Sequence, residues 1–285
     1  MDGTGSFPPR DDDGLFCEPV HVWSEEKYRL VQHYASVFCR SMHGKWGALV
    51  YTDLFCGPGR SKIDNKRIID APPLIVLSSE FSFDKYVFCD VSSEKIDALR
   101  KRVISLFPSK SVSILNGDAN KIAVEILAEM PQHRPGYKVL GLTFVDPYKI
   151  DNLKFETMRT LSEKFMDFLV LLPTDMDAQR NVGVYEKPEN KRVEEFLGNS
   201  NWRETWATAK ARGEHFGIFV ANEFTRSMEH LGYKNPGLEN MKLVRSVDKN
   251  LPLYRLALYS RHALGKKFWK DAVRYTDPQA GFLDF

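Results

Sequence analysis

A glycine turn preceded by one carboxylate is the first stretch whose residue types suggest ligand binding. It lies in YTDLFCGPGR, residues 51–60. Gly57 and Gly59 carry no side chain, so the backbone can approach a ligand closely there. Asp53, near the end of the preceding apolar run, can accept a hydrogen bond from an amine. The continuation GRSKIDN fits neither the G-x-G-x-x-G fingerprint nor a P-loop, so the turn favours a ligand without a bound pyrophosphate.

Two further carboxylates each follow an apolar run. Asp90 ends KYVFCD and suits a ribose diol, as in dinucleotide folds, and Asp118 in NGDAN can bind an adenine amino group. A nucleoside without pyrophosphate fits these positions, and we predict S-adenosylmethionine as the cofactor. Each feature alone has a plainer interpretation, because a lone G-x-G is commonly only a turn and Asp90 can be a helix N-cap. The predicted cofactor-binding residues are Asp53, Phe55, Cys56, Gly57, Pro58, Gly59, Asp90, Asp118 and Ala119.

The stretch FVDPY carries the candidate catalytic residues Asp146, Pro147 and Tyr148. It resembles the [DNS]-P-P-[YFW] motif of amino-methyltransferases, with one proline instead of two. Asp146 can accept a hydrogen bond from an amine, and a carbonyl held by the fixed φ of Pro147 can accept a second. Tyr148 can stack on a planar substrate. The alternative is a strand that simply ends in a proline turn.

Alternating apolar runs and helical patterns must position these residues. The runs GALVYTDLF, KYVFCD, SVSILN, KVLGLTFV and MDFLVLL predict strands, and amphipathic or apolar segments between them, such as EKIDALRKRVISL, predict helices. This order is typical of an α/β fold with a doubly wound, mostly parallel, Rossmann-like sheet. Asp53, Asp90 and Asp146 would then meet at the carboxyl edge, where such sheets bind ligands.

The chain changes character after about residue 175. DMDAQRNVGVYEKPEN is polar and aperiodic and predicts a long loop, followed by a mostly helical stretch, so that 176–235 forms an insertion. MKLVRSVDKN and LPLYRLALYSRH predict an antiparallel hairpin before a short terminal helix. Arg180 and Asn181 in the loop are candidate substrate-binding residues, since arginine can clamp a phosphate or carboxylate. A solvated loop arginine is the alternative.

The composition and charge bear on which other classes of protein the chain could belong to. The 285 residues carry a net charge of +2 and a pI near 8.2, which neither indicates nor excludes a nucleic-acid partner. Four cysteines without a CxxC pair suggest no metal site and no disulfide framework. Since no signal peptide and no apolar run of about 18 residues occurs, we expect a cytoplasmic protein without a membrane span. Residues 1–22 are acidic and predict a flexible arm, with a methyltransferase-like domain over 23–285.

The order of the motifs resembles a known family. DLFCGPG, APPL, VDPY, the D…RN pattern of Asp177, Arg180 and Asn181, and FLG…W are similar to the three-Cys-motif partner (TcmP) family across most of residues 24–270. The resemblance implies a class I S-adenosylmethionine-dependent methyltransferase. It also implies a radical-SAM-like protein partner that carries the three cysteines. The chain departs from the family at Cys56, where alanine is usual, at Lys149, where glycine is common, and in the tail DPQAGFLDF.

The residues and the resemblance together predict methyl transfer to an amine-type nitrogen, with a nucleic-acid base as one candidate acceptor. Two alternatives stay open. The first is a non-catalytic module of the same fold that binds the cofactor or docks a partner. The second is a nucleoside-processing α/β enzyme of another kind. A cytosine-5 methyltransferase is disfavoured because the chain has no Pro-Cys dipeptide.

Overall fold

The computed structural model describes residues 6–276. Its strands are β1 (Glu18–Val20), β2 (Ala48–Asp53), β3 (Arg60–Ile63), β4 (Arg67–Asp70), β5 (Lys85–Asp90), β6 (Val112–Asn116), β7 (Val139–Val145), β8 (Met166–Leu172), β9 (Lys242–Arg245) and β10 (Pro252–Tyr259). Its α-helices are α1 (Ser24–Met42), α2 (Pro72–Leu77), α3 (Ser93–Leu106), α4 (Ala123–Ala128), α5 (Phe155–Leu161), α6 (Val182–Tyr185), α7 (Arg192–Leu197), α8 (Trp202–Ala211), α9 (Phe216–His230) and α10 (Ala263–Thr276). Short 3-10 helices lie at Ile150–Asn152 and Leu238–Asn240, and a π-helical segment lies at Thr174–Gln179.

The main sheet has the strand order β6-β5-β2-β7-β8-β10-β9. Strand β2 pairs in parallel with β5 and β7, β5 with β6, and β7 with β8, whereas β10 is antiparallel to β8 and β9. Strands β2 and β7 are buried along their whole length, which explains their nearly continuous apolar sequences. The predicted doubly wound, mostly parallel sheet with a C-terminal antiparallel hairpin is confirmed.

Helices cover both faces of this sheet. On one face α1, α2, α3 and α10 pack through side chains such as Leu30, Leu99 and Trp269, all fully buried. On the other face α4, α5, α7, α8 and α9 contribute a second apolar core that includes Ile126 and Phe224. The helical spacing of apolar residues in α1 and α3 follows from this arrangement, because only one stripe of each helix meets the sheet.

The chain reverses its direction of travel across the sheet between β2 and β7. It proceeds outward from β2 through β5 to β6, and then returns to place β7 on the other side of β2. Loops that leave the carboxyl ends of β2 and β7 therefore part in opposite directions, which opens a crevice. Asp53 is the last residue of β2, Asp90 is the last residue of β5, and Asp146 directly follows β7.

A second, three-stranded sheet was missing from the sequence prediction. Strands β3 and β4 form an antiparallel hairpin, and β1 pairs in parallel with β3. The turn between β3 and β4 contains Asp64 and Asn65, both with positive φ, at 44° and 58°. Two such residues in succession favour a two-residue hairpin turn. That Asp-Asn pair was the available signal, but its flanking runs are short and charged.

The expectation of a flexible arm is wrong for residues 6–22. Strand β1 lies within this segment, and Asp13 forms a salt bridge of 2.7 Å with the buried guanidinium of Arg102. Arg102 also donates to the carbonyl of Pro58 at 2.7 Å. Asp13 attaches the segment to the domain because its carboxylate has two arginine partners, Arg60 and Arg102, that are distant in sequence. Residues 1–5 and the tail DPQAGFLDF at 277–285 lie outside the described residues.

The long loop predicted after β8 is largely helical. Thr174–Gln179 is π-helical and α6 follows it directly. The buried carboxylate of Asp177 accepts hydrogen bonds from the side chains of Asn181 (2.8 Å) and Tyr185 (2.9 Å). The segment is therefore held to the protein by the buried Asp177, although several of its other polar residues are exposed. The helical stretch after residue 200 and its break near Gly213 are as predicted, since α8 ends at Ala211 and α9 begins at Phe216.

Candidate functional site

A cleft of about 1030 Å³ opens at the carboxyl edge of β2, β5 and β7, and we call it the switch-point cleft. Its volume is at the upper end of the range for small-molecule sites. Asp53, Asp90 and Asp146 all line it, as the strand order requires. The sheet therefore brings together three carboxylates that lie far apart in the sequence.

The glycine turn after β2 forms one wall of the switch-point cleft. Phe55, Cys56, Gly57 and Pro58 all line it. Gly57 has a φ of +63°, and a methyl group added to its Cα would meet no atom within 4 Å. Gly57 thus presents open backbone to the cavity, as the sequence predicted. Its N–H donates to Asp90 Oδ2 at 2.9 Å.

Gly59 does not line the cleft. Its φ is +83°, and a Cβ at this position would lie 2.8 Å from Leu99 Cδ1 and 3.0 Å from Leu74 Cγ. The glycine is needed because α2 and α3 pack against the back of the turn. The structure therefore gives Gly59 a packing role, and not the ligand contact predicted for it.

Asp53 and Cys56 lie at the bottom of the turn and are almost fully buried. Burial raises the pKa of Asp53 well above its usual value, and the charge of nearby Asp146 adds to the effect. The Asp53 carboxylate accepts a hydrogen bond from the N–H of Phe55 at 3.2 Å. Burial also raises the pKa of the Cys56 thiol, so Cys56 is suited to packing and not to nucleophilic chemistry.

Asp90 faces the cleft with both carboxylate oxygens already engaged. Oδ2 accepts from Gly57 and Oδ1 accepts from the N–H of Ser92 at 2.9 Å. Ser92 in turn caps α3 by accepting from Lys95 N. Since an ionised carboxylate has about four acceptor positions, Asp90 can still accept two hydrogen bonds from a ligand.

Asp118 and Ala119 lie at the third strand end and also line the cleft. Asp118 Oδ1 accepts from the backbone N–H and the side chain of Asn120, both at 3.0 Å. The carbonyl oxygen of the Asn120 side chain accepts from Lys154 N and Thr157 Oγ1, both at 2.8 Å. Asn120, which the sequence analysis did not single out, thereby joins the loop after β6 to the start of α5.

The FVDPY motif lies across the cleft from the glycine turn. Asp146, Pro147 and Tyr148 all line the cavity, and Tyr148 is 70% exposed, so its ring is available to a ligand. Asp146 Oδ2 forms a salt bridge of 2.6 Å with Lys27 Nζ from α1. Lys27 carries no signal in the sequence, because it differs from other helical lysines only in the tertiary contact that it makes.

The structure separates the two predicted substrate-binding residues. Arg180 lines the cleft and is exposed. Asn181 does not line it and donates to Asp177 instead. Asp177 Oδ2 also accepts from the N–H of Ile150 at 2.8 Å, four residues after Asp146. The D…RN pattern therefore fixes the loop that follows the FVDPY motif, and only its arginine reaches the cavity.

Segments that carry no motif complete the switch-point cleft. On the N-terminal side Glu18 forms an ion pair with Lys95, and His21 stacks on Trp23 with ring centroids 4.1 Å apart. All four residues line the cavity, as does the turn between β9 and β10, which contributes residues 246, 248, 249 and 251. No motif identified these walls because they are assembled from distant parts of the chain.

Comparisons with known proteins found no matching family model and no matching curated protein. Among solved structures, the chain is similar to protein LPL1258 from Legionella pneumophila, with 12% identity over 88% of this chain and 93% of that one and a TM-score of 0.49. Trm1 from Pyrococcus horikoshii, in complex with S-adenosyl-L-methionine, is 10% identical over 92% and 61% of the two chains, with a TM-score of 0.44. Magnesium protoporphyrin IX methyltransferase from Synechocystis PCC 6803 with bound SAM is 7% identical over 83% and 80%, with a TM-score of 0.42.

Within residues 6–276, no helix is long and apolar enough to cross a membrane. No group of three or more His, Cys, Asp or Glu residues in that part of the chain could hold a metal ion.

Proposed function

We propose that the protein is an S-adenosylmethionine-dependent methyltransferase that acts on an amine-type nitrogen. The observation that carries the proposal is the hydrogen bond from Gly57 N to Asp90 Oδ2 at the switch point. In a dinucleotide fold the N–H groups of this turn bind a pyrophosphate. Here a carboxylate takes one of them and would repel an anion. The turn is thus suited to a nucleoside ligand that carries no phosphate.

The residues around the cleft fit the parts of this cofactor. Asp90 would accept hydrogen bonds from the ribose hydroxyls, and Asp118 with Ala119 would face the adenine. Asp53 would lie near the amino group of the methionine portion. The open space beside Gly57 leaves room for the ligand against the backbone. When bound, the cofactor would supply an electrophilic methyl group.

Asp146, Pro147 and Tyr148 would position the acceptor. Asp146 is 19% exposed by side chain and is already paired with an amine, that of Lys27. This contact supports the assignment, because it places an amine nitrogen against the Asp146 carboxylate inside the cleft. Tyr148 would provide a ring face, and a bound amine would be aligned mainly by these contacts. A nucleic-acid base and an alkylamine both contain such a nitrogen.

The TcmP resemblance agrees with this proposal, since its DLFCGPG, APPL and VDPY motifs contribute residues to the cleft walls, whereas FLG…W lies in the apolar core. Membership of that family, and the radical-SAM-like protein partner that it implies, remain proposals. The departure at Lys149 has a local explanation, because the side chain lies beside the ring of Tyr148, with Nζ 5.9 Å from its centroid. Cys56 replaces the usual alanine as a small buried residue.

Calorimetry with S-adenosylmethionine and S-adenosylhomocysteine tests the cofactor assignment. Folded protein that gives no heat with either ligand would refute it. Tritiated methyl transfer into separated nucleic-acid, protein and metabolite fractions then tests activity, with Asp146→Ala as the control. Cofactor binding without transfer into any fraction would instead support the non-catalytic binding module. Binding of adenosine with no preference for the sulfonium ligand would support another nucleoside-processing enzyme.

A further inference from the structure

The ammonium of Lys27 is enclosed by one carboxylate and two aromatic rings. Its Nζ lies 2.6 Å from Asp146 Oδ2, 5.6 Å from the ring centroid of Tyr28 and 5.7 Å from that of Tyr254. Tyr28 and Tyr254 are 5% and 4% exposed, so their rings are held in place by packing. The hydroxyl of Tyr254 is buried without a hydrogen-bond partner in the described residues.

These contacts are the ones that a protein uses to recognise a cationic amine. Ring faces attract ammonium ions within about 6 Å, and charge-assisted hydrogen bonds to a carboxylate are stronger than neutral ones. Lys27 reaches the position from α1, whereas Asp146 follows β7 and Tyr254 lies in β10. Three separate elements therefore build a pocket around one nitrogen atom.

The charge of the surrounding cleft also favours a cation. Among residues 6–276, seven with carboxylate side chains line it, against four lysines and arginines. The carboxylates are Glu18, Asp53, Asp90, Asp118, Asp146, Asp151 and Asp248, and the bases are Lys27, Lys95, Arg180 and Lys249. An excess of acidic groups attracts cations and disfavours the phosphates of a nucleic acid inside the cavity.

We propose that Asp146, Tyr28 and Tyr254 form a subsite for a primary alkylammonium group, and that Lys27 fills this subsite from within the chain. This assignment rests on the proposed function, because the subsite would hold the methyl acceptor of that reaction. It narrows the acceptor from amines in general to alkylamines. An incoming amine must displace Lys27, which competes at the high effective concentration of a tethered group. The ion pair thus keeps the subsite closed to weakly bound amines.

Removing the Lys27 side chain tests the subsite without any cofactor. Lys27→Ala deletes the atoms from Cγ to Nζ, which n-propylammonium replaces. Calorimetry should show n-propylammonium binding to Lys27→Ala, with none to the wild-type protein. Binding should be lost again in Lys27→Ala/Asp146→Asn. Lys149→Ala is the matched control, because Lys149 lies beside Tyr148 but is exposed and outside the subsite.

Several outcomes would overturn the subsite. A folded Lys27→Ala variant without n-propylammonium binding would do so, as would equal binding by Lys149→Ala. Thermal melting establishes folding. If Lys27→Ala unfolds, Lys27→Ser offers a second small variant for the same titration. Nα-acetyl-lysine amide and spermidine, titrated into the folded variant, distinguish a lysyl side chain from a free polyamine as the preferred source.

An assay of methyl transfer distinguishes a failure of the alkylammonium subsite from a failure of the proposed methyltransferase function. For transfer, the bound ammonium must first lose a proton to solvent, so that the nitrogen lone pair can attack the sulfonium methyl group and release S-adenosylhomocysteine. With S-adenosylmethionine present, Lys27→Ala should convert n-propylamine to N-methylpropylamine in this way, detected by mass spectrometry. Binding of n-propylammonium without its methylation would leave the subsite established and count against the methyltransferase assignment. Methylation of an oligonucleotide base by the wild-type protein, together with no n-propylammonium binding by the variant, would overturn the alkylammonium assignment and favour a nucleic-acid acceptor.

Discussion

At the scale of single residues, the Asp90 carboxylate connects protein structure and ligand binding. It accepts from Gly57 and Ser92, so Asp90→Ala leaves two backbone N–H groups without their partner. We expect a loss of about 1–3 kcal/mol in the free energy of unfolding. We also expect affinity for S-adenosylmethionine to fall at least about tenfold, which corresponds to about 1.4 kcal/mol.

Asp118→Ala is the control for this prediction. The hydrogen bonds of the Asp118 side chain within residues 6–276 run to Asn120 in the same turn, so stability should change less than with Asp90→Ala. Urea denaturation and calorimetry measure the two effects separately. Unchanged cofactor affinity in Asp90→Ala would remove Asp90 from the proposed ribose site.

Asp167 in β8 predicts a pH dependence of stability. Burial raises the pKa of its carboxyl from 3.8 to about 7, against the opposing effects of Ser260 and Arg261. Between about pH 4 and pH 7 the unfolded chain loses the Asp167 proton while the folded protein keeps it. This carboxyl should therefore make the free energy of unfolding fall as pH rises through that window.

The comparison of wild type with Asp167→Asn isolates this contribution. The difference in unfolding free energy between the two proteins should shift in favour of the variant from pH 4 to pH 7, and then stay constant. Urea denaturation at one-unit pH intervals measures it. A difference independent of pH would show that Asp167 has an ordinary pKa in the folded protein.

At the scale of elements, the glycine turn separates ligand contact from packing. Gly57→Ala and Gly59→Ala both force alanine into positive φ, which costs roughly 1–2 kcal/mol each. Only Gly59→Ala also drives a methyl group against Leu99 and Leu74, at 2.8 and 3.0 Å. Overpacking adds about 1–3 kcal/mol, so Gly59→Ala should be the less stable variant.

Cofactor affinity should follow a different order from stability in this pair. The methyl group of Gly57→Ala would enter the space beside the cleft wall, so binding should weaken while the fold persists. Thermal melting and calorimetry on both variants test the assignment. Equal stability of the two proteins would contradict the packing role of Gly59.

The strands and helices differ in whether the sequence pattern could predict them. Long apolar runs such as β2 and β7 were predictable because burial on both faces leaves a continuous signal. The β3–β4 hairpin was missed because its strands are four residues each and carry charged residues at the surface. The Thr174–Gln179 segment was missed because its polar side chains find partners inside the protein, as Asp177 does.

The residues of the candidate site also differ in whether the sequence could predict them. Asp53, Asp90 and Asp146 were predictable because strand ends of a parallel sheet converge at one edge. Lys27 and Tyr254 were not, since their approach to Asp146 depends on how α1 and β10 pack. Gly59 and Asn181 carry the right residue types, yet the fold turns them toward packing and toward Asp177.

At the scale of the whole molecule, Arg102 joins the N-terminal segment to the glycine turn after β2. Its guanidinium is 2% exposed by side chain and bonds to Asp13, Phe16 and Pro58. Asp13→Ala leaves this buried charge without its carboxylate, which we expect to cost about 3–5 kcal/mol. The segment should then detach, which limited proteolysis near residue 13 would reveal as faster cleavage.

Asp97→Ala provides the comparison for that experiment. Asp97 pairs with Arg100 on the surface of α3, where the two side chains are 63% and 46% exposed, so its loss should be far less damaging. Cofactor affinity should fall in Asp13→Ala, because Glu18 and His21 of the same segment line the cleft. Protease resistance equal to that of the wild type would show that Arg102 does not hold the segment.

The hydrogen bonds of Asp177 have a consequence for how this sequence can diverge. One buried carboxylate serves Ile150, Asn181 and Tyr185, so a change of Asp177 alone leaves three donors without their acceptor. Evolutionary replacement should then be concerted. In descendants of the same ancestor, we expect Asp177, Asn181 and Tyr185 to be inherited or lost together, while the exposed Arg180 between them varies independently.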